Sequence, residues 1–213
     1  VVNRQFTGAS TDAWENGGDV EGDISITKEH ISSPGTGATT ITYTNPASDL
    51  LVVIALGTDE GNTIQDLSSP TYAGDAMTKI VADTALHSGT SYRLGAQAWY
   101  KASPDTGSNN FVYTWQDAGG GSIDEPTFFF YSIDGVDPAD LSIASASSDI
   151  DASTSISNTV TTDAGDLVID AFSVTDDVTT TVGAGQTLGG LESGSDDFTH
   201  ASSYERATGG STA

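Results

Sequence analysis

The sequence predicts an all-β protein, a jelly-roll-like antiparallel β-sandwich that forms a single domain over residues 1–213. Short runs rich in Val, Ile, Thr, Tyr and Phe alternate with clusters of Gly, Ser, Asp, Asn and Pro, as expected for strands joined by turns. Phe111, Tyr113 and Trp115 alternate with other residues and would share one face of a strand. No window carries the apolar stripe of a helix, and many short strands at this spacing are typical of a sandwich or barrel.

The strands follow one another along the whole chain. The longest apolar run, Leu50–Leu56, has the length of a buried strand. The predicted strands are Val2–Thr7, Asp23–Lys28, Thr39–Thr44, Leu50–Thr58, Met77–Thr84, Tyr92–Lys101, Asn110–Gln116, Thr127–Ile133, Leu141–Ala146, Ser155–Thr161, Leu167–Thr175 and Phe198–Arg206.

The charge is strongly acidic, with 30 Asp and Glu against 6 Lys and Arg and a formal net charge of −24. Binding to nucleic acid is excluded, because a polyanion requires a cationic surface. An anionic membrane surface is disfavoured for the same reason. Three explanations of the charge stay open: a calcium-rich exterior, a high-salt environment, and solubility through self-repulsion.

Cysteine is absent, which excludes disulfides, Cys-ligated metals and thiol nucleophiles. No stretch reaches the roughly 18 apolar residues of a transmembrane helix. The sequence begins at Val1 without a visible signal peptide, as expected of a processed secreted chain or of a trimmed one. We expect an extracellular or cell-surface location.

An internal repeat organises the chain into pseudo-repeats over about 39–136 and 155–213. The segment Thr39–Thr63 parallels Ser155–Thr180: both contain a strand, a turn, Asp-Leu, an apolar strand and a Thr-Asp-acid sequence. Asp49 and Asp166 anchor the match, 117 positions apart. The segments 92–108 and 198–211 also resemble each other. Duplication explains this shared frame better than convergent strand chemistry does.

The repeat predicts an unfilled strand position in the second half. The first half continues past its Gly-Ser turn with FVYTW and PTFFFYSIDGV, whereas the second half reaches the turn at Gly209–Ser211 without such strands. An open edge of this kind is a liability in a β protein, and something should fill it. The strand-like segment over residues 1–28 is the candidate donor, either to its own domain or to a neighbouring copy.

Five strand-and-turn patterns make the chain resemble a lectin-like jelly-roll β-sandwich module of secreted bacterial and archaeal surface proteins and phage-associated proteins. They are a repeated Asp-Leu strand motif, an aromatic-Gly-x-x-Met segment, an aromatic-Tyr-Lys strand and a Ser-x-x-Gly-Val-Asp turn. In this sequence they lie at Asp49–Val52, Asp166–Val168, Pro70–Met77, Trp99–Lys101 and Ser132–Asp137. The resemblance covers nearly the whole chain and implies no catalytic residues.

The residues also argue against an enzyme. His30, His87 and His200 lie in polar, Ser-rich surroundings, where we expect exposed loop or strand histidines, and no Gly-x-Ser-x-Gly elbow is present. No Glu lies in an apolar strand that would raise its pKa for glycoside hydrolysis.

Calcium is the candidate cofactor, because hard cations prefer oxygen ligands from flexible loops. Acidic pairs follow the two matched strands, and a third group alternates along an extended segment. The candidate ligands are Asp59, Glu60, Asp176, Asp177, Asp19, Glu21 and Asp23. For each of them a solvated acidic loop is an equally good interpretation.

Among the tryptophans, Trp99 and Trp115 lie in alternating strands and are predicted to be core residues, whereas Trp14 lies in a loop and is the candidate for ligand contact. Two functions follow from the sequence. The first is a structural protein that self-assembles head to tail by β-strand complementation into a filament, sheath or surface layer, and a virion surface protein is a variant of it. The second is a carbohydrate-binding or adhesin module with a glycan partner.

Overall fold

The computed structural model describes residues 2–7, 24–32, 40–60, 64, 67–86, 92–117, 119–120, 123–138, 146–151, 160–174, 179–193 and 198–212. These residues form fourteen strands and no helix. The strands pair antiparallel throughout, so the predicted all-β antiparallel class is confirmed. None of these residues belongs to a helix that is long and apolar enough to span a membrane.

The strands form three stacked sheets. The central sheet has the order β2 (Ser25–Ser32), β10 (Asp124–Asp134), β4 (Leu50–Glu60), β8 (Tyr92–Ala102) and β7 (Thr78–Leu86). The five-stranded outer sheet has the order β11 (Ala146–Asp151), β1 (Val2–Thr7), β12 (Val160–Val174), β14 (Thr199–Thr212) and β13 (Thr187–Ser193). The four-stranded outer sheet has the order β3 (Thr40–Asn45), β9 (Gly107–Thr114), β5 (Ser68–Tyr72) and β6 (Asp75–Ala76).

Strand β4 shows why its sequence is apolar without interruption. Alternate residues point to opposite faces of a sheet, and both faces of the central sheet are covered. Leu50, Val52 and Ile54 pack toward the five-stranded outer sheet. Leu51 and Val53 pack toward the four-stranded one. The prediction that this run is a buried strand is confirmed.

An aromatic cluster fills the space between the central and the four-stranded outer sheet. Phe130 stacks on Tyr43 with 4.7 Å between ring centroids and meets Phe111 edge-on at 5.6 Å. Trp99 and Trp115 belong to the same core and are 9% and 5% exposed, as the sequence predicted. Such tilted and stacked contacts add to the stabilisation from apolar burial.

Three strands were not predicted from the sequence: β5, the two-residue β6 and β13. β5 contains Pro70, and β13 contains Gly189 and Gly190, residues that are unfavourable inside a strand. The glycines allow β13 to lie directly on the central sheet: a Cβ at Gly190 would be 2.6 Å from a ring carbon of Phe129, and one at Gly189 would collide with the Tyr131 hydroxyl. Close approach between sheets is therefore the reason for a Gly-Gly pair inside a strand.

The predicted strands at Ser155–Thr161 and Leu167–Thr175 are one strand in the structure. β12 continues from Val160 to Val174, and its pairing with β14 shifts register between Ala164 and Leu167. The matched segment of the first half is divided at Pro46, which separates β3 from β4. The second half has no proline there, so a β-bulge absorbs the irregularity and the strand goes on. The prediction at Leu141–Ala146 meets β11 at Ala146 alone, and residues 141–145 lie outside the described part.

Candidate assembly site

The five-stranded outer sheet repeats the strand order of the central sheet. β12 pairs with β14 and β1, just as β4 pairs with β8 and β10. The flanking strands also correspond, because β13 and β11 border β14 and β1 as β7 and β2 border β8 and β10. The two sheets are therefore built to one plan around the two matched strands β4 and β12.

The residue pairing follows the same plan. Val52 and Ile169, which are 117 positions apart, lie opposite Tyr100 and Tyr204 respectively. Because paired residues of antiparallel strands share a face, equal pairing gives equal environments. The correspondence between the two sheets thus extends to individual residues.

Strand β1 takes the place that β10 takes in the central sheet. Phe129 of β10 lies opposite Ile54, and Phe6 of β1 lies opposite Ala171, the residue matched to Ile54. Yet β10 follows β8 along the chain, whereas β1 precedes every other strand and is joined to β2 by residues 8–24. The second half of the repeat is therefore completed by a strand from the beginning of the sequence.

This arrangement decides where the predicted open edge lies. The sequence predicted an unfilled position beside the second repeat, and that position is the side of β12 away from β14. In the structure of the single chain β1 occupies it, so the edge is not open there. β1 also pairs with β11 on its other side, from Val2 opposite Asp151 to Thr7 opposite Ala146.

Asp170 is a buried acid of β12, the strand that receives β1, and it lies opposite Thr7. Its Oδ1 accepts hydrogen bonds from the Ser203 backbone N–H and hydroxyl, at 3.1 and 2.5 Å. Its Oδ2 accepts one from the Gln186 side chain at 2.7 Å. A buried carboxylate needs such partners, and together they fix the carboxylate against β14 and the approach to β13. In the central sheet the matched residue is the apolar Val53.

Polar contacts also bridge the two five-stranded sheets. The Tyr131 hydroxyl of β10 lies 2.5 Å from Ser202 Oγ of β14, and Ser202 donates to the backbone carbonyl of Asp170 at 2.7 Å. Lys28 lies over the Tyr204 ring, 5.3 Å from its centroid, and donates to the Leu188 carbonyl. These contacts link β10 and β2 to β14 and β13.

His200 corrects an expectation from the sequence. We expected exposed histidines, but His200 is 1% exposed and its Nδ1 lies 2.8 Å from the Ser173 hydroxyl. Burial lowers the pKa of His200 to about 4, helped by the nearby His30, while the Glu125 backbone acts in the opposite direction. The imidazole is therefore neutral at neutral pH. His87 lies outside the described residues.

His30 lies across the interface on β2, stacked on Phe129 with 4.9 Å between ring centroids. Burial lowers its pKa, partly offset by Glu192, whose carboxylate lies 3.6 Å from His30 Nε2. The Ser173–His200 contact has the atoms of a nucleophile and a base, but both side chains are at most 1% exposed. A substrate in solvent has no access to them, so the pair acts as an internal polar contact.

The predicted calcium ligands are for the most part outside the described structure. Asp19, Glu21, Asp23, Asp176 and Asp177 lie in undescribed segments, and Glu60 is described only in its backbone. Asp59 is 4% exposed and lies opposite Arg93 in the central sheet. Within the described ranges no three His, Asp or Glu side chains form a group that could hold a metal. The calcium site stays a prediction, as does ligand contact by Trp14, which lies outside the described residues.

Comparison with protein-family models, with curated proteins and with solved structures finds no match to this chain. The resemblance to lectin-like jelly-roll modules therefore stays a prediction. Among the residues above, sequence reasoning missed Asp170, Ser173 and the burial of His200. A signal for Asp170 was present, since it interrupts the apolar run of β12 where β4 has valine.

Proposed function

We propose that the protein is a non-enzymatic extracellular structural subunit. Its copies join head to tail, with β1 of one copy filling the position beside β12 of the next, and the polymer forms a filament, sheath or surface layer. The observation that carries this proposal is the placement of β1, which substitutes for an internal strand of the repeat although it comes from a distant part of the sequence.

The exchange requires no contacts other than those within the single chain. β1 holds its place through two ladders, to β12 and to β11, and residues 8–24 join it to β2. A strand donated by a neighbour would make the same backbone hydrogen bonds and fill the same register position with Phe6. Exchange of an identical element between copies is a low-cost route to association, and strand addition is a common mode of recognition.

The geometry of such an exchange leads to an open polymer. The donor, β1, and the acceptor, the side of β12 away from β14, are different parts of one molecule. A contact between unlike surfaces is head to tail and propagates unless a ring closes. A neighbour that receives β1 still offers its own β1 to the following copy.

The charge is consistent with assembly outside the cell. A net charge of −24 keeps free subunits apart and makes their association dependent on salt or on a divalent cation. Calcium is the divalent cation that we propose for this role, with Asp176 and Asp177, shortly after β12 in the sequence, among the candidate ligands.

A disulfide experiment tests the exchange, because the chain has no cysteine of its own. Gln5 and Phe172 are register partners, and directly opposed residues are close enough for a disulfide. Two single variants, Gln5→Cys and Phe172→Cys, are unfolded together, refolded and oxidised. We expect a disulfide between the two different chains, which only exchange can form. The double variant should give a covalent ladder on a non-reducing gel.

The control pairs Gln5→Cys with Thr161→Cys, since Thr161 lies opposite Ser211 and not beside β1. We expect no specific disulfide from this pair. A double variant that closes only within one chain, together with a mixture that forms no disulfide, would overturn the proposal and leave β1 as a strand of its own domain. Electron microscopy of the chain without residues 1–7, with calcium and with chelator, should show loss of fibres or sheets in the truncated protein.

A further inference from the structure

Three strands of the four-stranded sheet are uncharged, in contrast to the acidic character of the protein, and the edge strand β6 contains Asp75. Strands β3, β5 and β9 contain no Asp, Glu, Lys or Arg. The exposed residues of β3 and β9 are the alternate residues from Thr40 to Thr44 and from Ser108 to Thr114, which we name the threonine face. The five-stranded sheet, by comparison, contains Asp163 in β12 and Glu205 in β14, and β11 contains two further aspartates.

The threonine face is built mostly from short polar side chains. Thr40, Thr42 and Thr44 lie opposite Val112, Asn110 and Ser108. The Thr42 hydroxyl donates to Asn110 Oδ1 at 3.2 Å, which holds these two side chains against the sheet. Val112, at 40% exposure, is the most exposed large apolar residue among those described, and it lies in the row between Thr40 and Thr71.

We propose that the threonine face is the surface through which two copies of this chain associate side by side, each presenting the same face. The net charge favours this face for contact between copies. Copies with a net charge of −24 repel each other, and an uncharged face is where they approach with the least electrostatic cost. High salt then promotes the contact, because the screening length falls from about 10 Å at 0.1 M to about 3 Å at 1 M.

The size of the face fixes the strength of the contact. Three strands of this length cover roughly 20 Å by 15 Å, or about 300 Å². A stable interface buries about 800 Å² on each partner, so one such face does not hold a dimer on its own. In a polymer the face recurs on every subunit, and repeated weak contacts add up to firm association. The inference therefore rests on the proposed head-to-tail function for its full strength, and it describes the sideways contact between polymers.

The test adds one charge at either of two exposed strand threonines. Thr42→Asp places it on the threonine face, and the matched control Thr161→Asp places it on β12, at a position that does not pair with β1. At 2 M NaCl, electron microscopy should show bundles or sheets for the unmodified chain and for Thr161→Asp. We expect separate single filaments for Thr42→Asp, with the disulfide ladder from Gln5→Cys and Phe172→Cys unchanged.

A second measurement reports on the face even if head-to-tail exchange fails. Val112→Cys should form disulfide-linked dimers at high salt, several-fold less at 0.1 M salt, and background levels when combined with Thr42→Asp. The inference would be overturned if Val112→Cys formed no dimers at any salt concentration and Thr42→Asp left the bundling unaffected.

Crystalline cellulose and chitin test a polysaccharide surface as the alternative occupant. If they retain the unmodified chain but not Thr42→Asp, and copies do not associate with each other, the inference is overturned in favour of that surface. Loss of the ladder with retained Val112→Cys dimers would reject the exchange alone.

Discussion

The central sheet and the five-stranded outer sheet have the same strand order but different surroundings. The central sheet is covered on both faces, and its strands β4 and β10 are apolar on both sides. The outer sheet is covered by another sheet on one face, and its strands carry the buried polar residues Asp170, Ser173 and Ser202 where the central sheet has apolar ones. At these matched positions one strand plan is thus stabilised in two ways, by apolar packing in one sheet and by paired polar groups in the other.

The origin of the third layer explains the difference. In the first half the chain leaves the central sheet at Pro46 and again at Ser103–Pro104, where Ser103 has a φ of 48°. β3 and β9 then pair with each other on top of the central sheet. In the second half the corresponding segments, 160–162 and 210–212, stay in the plane of the outer sheet within β12 and β14. Each departure from the central sheet thus lies at a proline-containing turn that the second half lacks.

Removal of an aromatic side chain from the central sheet, which is covered on both faces, should have the largest effect on stability. Phe130 is fully buried against Tyr43 and Phe111, so Phe130→Ala should lower the free energy of unfolding by about 3–5 kcal/mol. Phe172 lies in the outer sheet and is half-buried, so truncating its side chain would not leave a closed cavity. Phe172→Ala should cost less than about 2 kcal/mol. Denaturant titration measures both values, and equal losses would contradict the difference in covering.

The second largest effect should be a pH dependence of the free energy of unfolding that comes from the outer sheet. Ser173 and His200 of the outer sheet are matched by the apolar pair Leu56 and Ala96 of the central sheet. The folded-state pKa of His200, about 4, lies below its ordinary value of 6.5, so its contribution to stability is complete above pH 6.5 and is lost as the pH falls toward 4. This loss amounts to about 3 kcal/mol.

The double variant Ser173→Leu/His200→Ala gives the outer sheet the pair of the central sheet. Its free energy of unfolding, measured by denaturant titration from pH 7 to pH 4, should fall less steeply than that of the unmodified chain. His30, whose pKa is also lowered, accounts for part of the slope that remains. An unchanged slope in the double variant would show that His200 does not remain neutral in the folded state.

The sequence predicted the strands because alternation and β-branched residues report directly on a pleated, half-buried surface. The matched halves were visible for the same reason, through Asp49 and Asp166 with the apolar strands that follow them. The burial of His200 could not be predicted, because its neighbours in sequence are polar and its cover comes from β12 and from the facing sheet. Likewise Gly189 and Gly190 indicate a turn until the facing rings of Phe129 and Tyr131 are known.

Loss of the hydrogen bond between Tyr131 and Ser202, which links the two five-stranded sheets, should have a smaller effect on stability. Ser202 is matched by Ala98 of the central sheet, and its hydroxyl is the partner of the buried Tyr131 hydroxyl. Ser202→Ala should cost about 1–3 kcal/mol, because it leaves that hydroxyl without its partner. Adding Tyr131→Phe should restore most of the loss, since both polar groups are then removed. A double variant that is no better than Ser202→Ala would assign the cost to packing.

The smallest effects should have opposite signs at one matched position. Lys101 of the central sheet forms an ion pair with Asp75 at 3.0 Å, whereas Glu205, at the matched place in the outer sheet, has its pKa raised by burial and by Asp170. Lys101→Gln should therefore lower the free energy of unfolding at pH 7, and Glu205→Gln should raise it. Each change should stay below about 0.5 kcal/mol, because Asp75 is 65% exposed and Glu205 is only partly buried. Thermal unfolding at low salt resolves such differences, and 1 M NaCl should abolish them because screening removes both the attraction and the repulsion.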